Sequence, residues 1–256
     1  MITAVTGPPG TGKTYWIQEQ MAKAKENIGY YSPRTESIPI DIIYLQSEYP
    51  HLKILTTENL KLISEKTNIY LELPWYLDLL SIEPFLKQLN CHRVAILPPN
   101  ISNTGWHSWA DEVIPSIGLE HQELTLEAKT PLEVHRGILT GEVLDYTSLI
   151  TFWSELTQNA YGEIKRIKGI FDIFDGQSIY GDFVQGFTQE EFSTLDLPRH
   201  LEGRPTRFSG FEIVGRDLDK TGIAQSINDC CLSDSAINYY QQQVKATLEL
   251  EVEMSR

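Results

Sequence analysis

A run of eight residues near the amino terminus has the composition and spacing of a phosphate-binding loop. It reads Gly7-Pro8-Pro9-Gly10-Thr11-Gly12-Lys13-Thr14. The spacing is Gly, four residues, Gly, Lys and then Ser or Thr. The glycines let the backbone curl so that successive N–H groups point at phosphate oxygens, and a helix that follows adds its N-terminal dipole. Lys13 is expected to reach the β- and γ-phosphates and the Thr14 hydroxyl to ligate Mg²⁺. The run therefore predicts a nucleotide site.

A second part of such a site is an acidic residue at the end of a neighbouring strand, which holds Mg²⁺ directly or through water. Glu72 closes the β-rich run Ile69-Tyr70-Leu71-Glu72 and is the candidate in that place. Lys13 and Glu72 are thus the predicted catalytic residues, and Thr14 and Glu72 are the predicted metal ligands.

Other polar residues near the loop are weaker candidates. Asp41 opens a predicted strand and therefore lies at its less useful end, while Arg34 and Glu36 follow the first helix, where a switch loop is common in phosphate-loop proteins. The guanine-reading pattern Asn-Lys-x-Asp does not occur in the sequence, because Asn100 and Asn103 lack the Lys and the Asp. The sequence therefore leaves GTP and ATP both open.

The elements that must position these residues alternate between strand and helix. Hydrophobic patterning predicts strands over residues 2–6, 40–45, 51–55, 68–73 and 92–97. It predicts helices over residues 13–25, 57–65, 82–89 with Pro84 in the first turn, and 108–114, and a short strand over 123–126. This order predicts an α/β fold: a P-loop NTPase-type, mainly parallel sheet with helices on both faces.

The pattern changes after about residue 141. A helix is predicted over 146–156, strands over 163–174, 178–185 and 207–214, a helix over 219–232 and a polar helical tail over 236–254. Consecutive strands without intervening helices predict a small α+β C-terminal domain. The predicted organisation is a nucleotide-binding domain (1–140), a connecting helix (141–160), the α+β domain (161–233) and the tail (234–256).

Four segments of the second half occur in the order found in one protein family. The run Lys165-Arg166-Ile167-Lys168-Gly169 resembles the Arg-x-Lys-Gly strand that opens the C-terminal domain of CobW-like proteins. Residues 183–186 and 207–219 are similar to the family's next strand and to its last strand and turn. Residues 223–232, which end in Cys230-Cys231-Leu232, resemble its closing helix.

The resemblance implies a CobW-type protein of the SIMIBI class of P-loop NTPases, whose members are GTP-dependent metallochaperones or metal-insertion proteins for zinc or cobalt. It also implies a protein client docked through the C-terminal domain. Glu72 matches the family's Glu, whereas Leu73-Pro74-Trp75 departs from the turn that follows it. The family's Cys-x-Cys-Cys motif has no counterpart, since no cysteine lies between residues 1 and 90, so zinc is not an expected cofactor. The sequence of this loop is also common in AAA+ ATPases, but nothing later in the sequence resembles their sensor or arginine-finger regions.

Composition limits the partners. The 256-residue chain has 21 Lys and Arg against 35 Asp and Glu, a net charge of −14, which disfavours nucleic acid and anionic membrane surfaces. Three cysteines and no long apolar run predict a reduced, cytoplasmic protein. Cys91-His92, the tryptophan-rich run 106–109 and the basic residues 165–168 are interpreted as structural.

The sequence thus predicts a Mg²⁺-dependent GTP- or ATP-binding protein. It is expected to act as a slow NTPase in a CobW-like metallochaperone or assembly role. The alternative is a non-catalytic protein-interaction module that retains a structural phosphate loop.

Overall fold

The chain folds into two compact units. The computed structural model describes residues 1–24, 27–33, 38–60, 67–102, 104–116, 130–187 and 192–254. The first unit comprises residues 1–37 and 41–128, and the second comprises 38–40 and 129–256. Residues 129–140, which the sequence pattern assigned to the first domain, thus belong with the second.

The first unit is built on a six-stranded parallel sheet with the order β3-β2-β4-β1-β5-β6. Its strands are β1 (Ile2–Thr6), β2 (Ile28–Tyr31), β3 (Lys53–Ile54), β4 (Asn68–Glu72), β5 (His92–Leu97) and β6 (Glu112–Pro115). Strand β1, which leads into the predicted phosphate loop, lies between β4 and β5, so the carboxyl end of β4 is directly beside that loop.

Helices cover both faces of this sheet. They are α1 (Lys13–Lys23), α2 (Ile40–Glu48), α3 (Leu79–Gln88) and α4 (Gly105–Trp109). Alternate strand residues enter two separate cores: Val5 packs with Ile17 of α1 and Leu45 of α2, whereas Ala4 packs with Leu86 of α3 and Trp109 of α4. The predicted α/β fold is confirmed.

Several predicted elements of this unit need correction. The predicted strand over 40–45 is helix α2, and the predicted helix over 108–114 is the end of α4 followed by strand β6. Helix α3 begins earlier than predicted because the Asp78 carboxylate caps the Leu80 N–H at 3.1 Å, and Pro84 consequently lies inside the helix. Of the predicted helix over 57–65, residues 57–59 form turns and residue 60 has a 3₁₀ conformation. Its remaining residues and the predicted strand over 123–126 lie outside the described residues.

The second unit is an antiparallel five-stranded sheet with the order β10-β9-β8-β11-β7. Its elements are β7 (Glu133–Ile138), α5 (Tyr146–Thr157), β8 (Glu163–Asp172), β9 (Ser178–Val184), β10 (Phe192–Thr194), β11 (Gly210–Arg216), α6 (Lys220–Asp229) and α7 (Asp234–Met254). The buried faces of α5 and α6 pack on β8 and β11 in a single core, which includes Trp153, Phe171 and Ile223. No helix within the described ranges combines the length and the apolar composition needed to cross a bilayer.

Candidate phosphate-binding site

The loop between β1 and α1 has a backbone that only glycine accepts readily. Gly7 has φ 147°, and Gly10 and Gly12 have φ 80° and 86°, all in the region that L side chains rarely enter. Gly7 is also confined in space, because a Cβ there would lie 2.2 Å from the carbonyl oxygen of Ile96 in β5. The loop therefore passes against the neighbouring strand at a distance that excludes any side chain.

Two side chains close the loop on itself. The Thr11 hydroxyl donates to the Pro8 carbonyl at 3.0 Å, and the Lys13 ammonium donates to the carbonyls of Gly7 at 3.0 Å and Pro8 at 2.9 Å. Gly7, Pro8 and Thr11 are buried, whereas Pro9 and Gly10 are half-buried. The Lys13 side chain thus folds back over the backbone of the loop.

Helix α1 starts directly from this loop. Its N-cap residue is Gly12, which offers no side chain to cap the first amides, and its first turn contains no acidic residue. The first N–H groups of a helix have no intrahelical acceptor and carry the positive end of the helix dipole. The combination of backbone amides, dipole and Lys13 gives this loop the character of an anion site.

Glu72 is at the position where the sequence pattern predicts a metal-supporting carboxylate. It ends β4, in parallel register with Val5 of β1, and only 7% of the residue is exposed. The Thr14 hydroxyl, in the first turn of α1, donates to the Glu72 carboxylate at 3.0 Å to Oε1 and 3.2 Å to Oε2. The fold thus brings together two residues that lie 58 positions apart in the chain.

Tyr30 of β2 also contacts this carboxylate, and the sequence did not single it out. Its phenol donates to Glu72 Oε2 at 2.9 Å, and the residue is 1% exposed. Its contact depends on strand pairing: β2 pairs with β4 so that Tyr30 is in register with Tyr70, two residues before Glu72. Only the strand order, which the sequence pattern alone does not give, places Tyr30 beside the acid.

Of the remaining candidates near the loop, two lie within the described residues. Asp41 lies in the first turn of helix α2, not at the end of a strand. Asn100 lies in a turn after β5. Arg34, Glu36 and Asn103 are outside the described residues.

The cysteine and histidine candidates have local partners. The Cys91 thiol donates to the Leu86 carbonyl at 3.4 Å, and His92 Nε2 lies 3.0 Å from Glu112 Oε2. Burial raises the pKa of Cys91 to about 11, that of Cys230 to about 12 and that of Cys231 to about 11. Thiols with such pKa values are protonated at neutral pH. In the part of the chain that the structure describes, no three His, Cys, Asp or Glu side chains form a group that could hold a metal ion.

The aromatic and basic runs have structural contacts. Trp109 is buried in the first unit's core and Trp106 is half-buried. In the second unit, Lys165 pairs with Glu163 at 2.5 Å and Arg166 pairs with Asp182.

Comparison with known proteins adds a weak likeness. Protein-family models give no match to the chain, and curated protein sequences give none either. Among solved structures, the chain is similar to the Zn(II)-bound YjiA GTPase from E. coli at 12% identity and a TM-score of 0.32, over 90% of this chain and 98% of that one. A Zn(II)-bound triple mutant of YjiA gives 12% identity and a TM-score of 0.33 with the same coverage. The likeness is low in both sequence and shape, so the chemistry of the site rests on its own residues.

Proposed function

We propose that this protein binds a purine nucleoside triphosphate, GTP or ATP, with Mg²⁺ and hydrolyses it slowly. The observation that carries the proposal is the approach of Thr14 to Glu72 at 3.0 Å beside the glycine loop. A hydroxyl and a carboxylate are the oxygen ligands that Mg²⁺ prefers. They lie where β4 ends and α1 begins, next to an anion-attracting helix terminus. The pair and the loop together supply the two halves of a metal–phosphate site.

The Lys13 contacts support the same proposal. Its ammonium now donates to two neutral carbonyls, Gly7 and Pro8. Hydrogen bonds to a charged oxygen are roughly twice as strong as bonds to a neutral one. Phosphate oxygens at the loop would therefore accept stronger bonds from Lys13 than these two carbonyls do.

The donor set of this site fits Mg²⁺. Thr14 and Glu72 would hold the ion, Glu72 either directly or through a water molecule. The chemistry that a bound Mg²⁺ would supply is neutralisation of negative charge on the phosphates. Lys13 and the amides of residues 10–14 would stabilise the negative charge that develops on the phosphoryl oxygens. Glu72 is the candidate to orient an attacking water.

The wider role we propose comes from the resemblance to CobW-like proteins. In that role nucleotide binding serves an assembly step, metal delivery or the loading of a client protein, and the second unit docks the client. A thiol must lose its proton before it binds a metal as a thiolate, and burial keeps the three thiols protonated. That observation disfavours a thiolate-bound metal cargo.

The proposal is tested by calorimetric titration of GTP and of ATP, each with Mg²⁺ and with EDTA. The proteins are the wild type, Lys13→Ala and Lys23→Ala. Lys23 is the matched control, because it lies in the last turn of the same helix and is exposed. We expect one nucleotide to bind the wild type at micromolar Kd, about −8 kcal/mol. Lys13→Ala should weaken binding about a hundredfold, or about 2.7 kcal/mol, and Lys23→Ala should bind normally.

Two outcomes would change the conclusion. If neither nucleotide binds the wild type, the loop is structural and the proposal is wrong. If a nucleotide binds tightly and no phosphate is released over hours, the protein is a nucleotide-dependent interaction module and not an NTPase.

A further inference from the structure

The Glu72 carboxylate receives two hydroxyl groups from two different elements of the first unit. Thr14 donates from helix α1 at 3.0 and 3.2 Å, and Tyr30 donates from strand β2 at 2.9 Å. The Tyr30 bond is to Oε2, and the shorter Thr14 bond is to Oε1. The two donors thus define the rotation of the carboxylate about its last side-chain bond.

The buried phenol needs explanation, because phenylalanine would fill the same space. Tyr30 is 1% exposed and its ring packs in the core that contains Ile17 and Leu45. A hydroxyl buried at such a site costs free energy unless it is hydrogen-bonded. Its acceptor here is a carboxylate that is itself 7% exposed. The phenol therefore acts on Glu72 and restricts the orientation of its carboxylate.

The fixed carboxylate in turn orients the Thr14 hydroxyl. A hydroxyl has one proton and two acceptor lone pairs. When Thr14 gives its proton to Glu72, its lone pairs point away from the carboxylate, and a lone pair is what a hydroxyl offers to a cation. The direction of those lone pairs thus depends on Glu72, and the direction of Glu72 depends on Tyr30.

We propose that Tyr30 is a positioning residue for Mg²⁺: its phenol holds Glu72 so that the carboxylate and the Thr14 hydroxyl present their oxygens to the ion. The inference rests on the proposed function and deepens it. Tyr30 does not touch the nucleotide in this role. Its removal should change how much Mg²⁺ the protein needs, and not how it holds the nucleotide without metal.

The chain contains a matched control for this test. Tyr31 is the next residue of β2, and its phenol shares a hydrogen bond of 3.0 Å with the Thr57 hydroxyl. Tyr31 packs in the core on the other face of the sheet, with Ala4 and Leu71. Tyr31→Phe thus removes one phenolic oxygen from the same strand without touching Glu72.

The experiment is a Mg²⁺ titration at a fixed concentration of the nucleotide that binds the wild type, monitored as nucleotide affinity. For Tyr30→Phe we expect the half-saturating Mg²⁺ concentration to rise about tenfold, since a hydrogen bond to a charged group is lost. Affinity in EDTA should stay within about twofold of the wild type. Tyr31→Phe should match the wild type in both measurements. A Tyr30→Phe titration that superimposes on the wild type would overturn the inference and leave the proposed function intact.

A double-mutant cycle guards against a general loss of stability. In a Glu72→Gln background, Tyr30→Phe should have almost no further effect on the Mg²⁺ requirement, because the group it positions has already lost its charge. The same tenfold shift in that background would mean that Tyr30 acts independently of Glu72, and the inference would be wrong. Wild-type affinity that is identical with Mg²⁺ and with EDTA would instead contradict the metal dependence in the proposed function, and this inference would fall with it.

Discussion

At the scale of single residues, the loop depends on the absence of a side chain at Gly7. We predict that Gly7→Ala abolishes nucleotide binding, because its Cβ would lie 2.2 Å from the Ile96 carbonyl oxygen. Ile96 sits in β5, which is hydrogen-bonded on both edges, so the loop must move instead. The positive φ of 147° adds strain of about 1–3 kcal/mol. Calorimetric titration checks the first effect and urea unfolding the second.

Gly105→Ala is the control for this prediction. Gly105 begins helix α4, and a Cβ there meets no atom within 4 Å. It should bind nucleotide like the wild type and be as stable or slightly more stable. A Gly7→Ala protein with wild-type affinity would contradict the geometry of the loop.

A second prediction concerns the carboxylate of Asp111. Arg93 holds it with a bond of 2.6 Å from Nη2 to Oδ1 and one of 3.1 Å from Nε to Oδ2. These contacts lower the pKa of Asp111 to about 2. Because the folded pKa is below the unfolded value, the stabilisation is present above about pH 4 and is lost as the pH falls towards 2. Solvent screening of this half-exposed pair keeps it below about 1 kcal/mol.

Urea unfolding of the wild type and Asp111→Asn between pH 5 and pH 2.5 measures this contribution. The wild type should be the more stable protein at pH 5, and the difference should shrink as the pH falls. A difference that stays constant over that range would show that the Asp111 charge is not responsible.

The residues of the site differ in how far the sequence reveals them. The loop residues and Lys13 can be predicted from the spacing of a few consecutive residues, which the sequence alone provides. The prediction of Glu72 needs one further inference, namely that it lies at the end of a strand next to the loop. Tyr30 has no such signal, because its contact depends on β2 pairing with β4, a pairing between segments about 40 residues apart.

At the scale of elements, the clearest difference between sequence and structure is helix α2. Its run Ile40-Asp41-Ile42-Ile43-Tyr44-Leu45 has the β-branched composition of a strand. In the structure, Ile42 and Leu45 lie three residues apart on one helix face, and both enter the core that contains Ile17. Short apolar runs are compatible with both the helical and the strand periodicity, so tertiary packing determines which structure forms. By contrast, β1, β4 and β5 are central strands whose continuous apolar runs predict them well.

Strand β8 in the second unit supports a prediction about packing. Gly169 lies in register with Gly181 of β9 and with Phe211 of β11. A Cβ on Gly169 would lie 2.3 Å from the ring of Phe171, which is 1% exposed. We therefore expect Gly169→Ala to lower the free energy of unfolding by about 1–3 kcal/mol, the usual range for overpacking. Urea unfolding measures it.

The test of this mechanism is a second substitution. Phe171→Leu removes the ring that the new methyl group meets, so the two changes together should cost less than the sum of each alone. Strictly additive effects would show that the ring is not the obstacle.

At the scale of the whole molecule, each unit has its own sheet and its own buried hydrophobic residues. The sheet of the first unit is parallel and its two cores lie on its two faces, whereas the second unit has an antiparallel sheet and a single core packed with α5 and α6. All the residues assigned to the nucleotide site, from Gly7 to Glu72, belong to the first unit. Nucleotide binding should therefore stabilise the first unit directly.

This separation predicts where a bound nucleotide stabilises the chain. A ligand at a hundred times its Kd stabilises the state that binds it by about 2.7 kcal/mol. Hydrogen exchange with saturating nucleotide and Mg²⁺ should slow in peptides from β1, α1 and β4, while peptides from β8, β9 and β11 keep their rates. Gly169→Ala should do the reverse: faster exchange in the second unit and no change in the first. Protection that spreads equally over both units on nucleotide addition would show that the two units unfold together. Lys13→Ala is the control, because it should abolish protection that comes from the nucleotide site. Protection that persists in Lys13→Ala would come from the added salt.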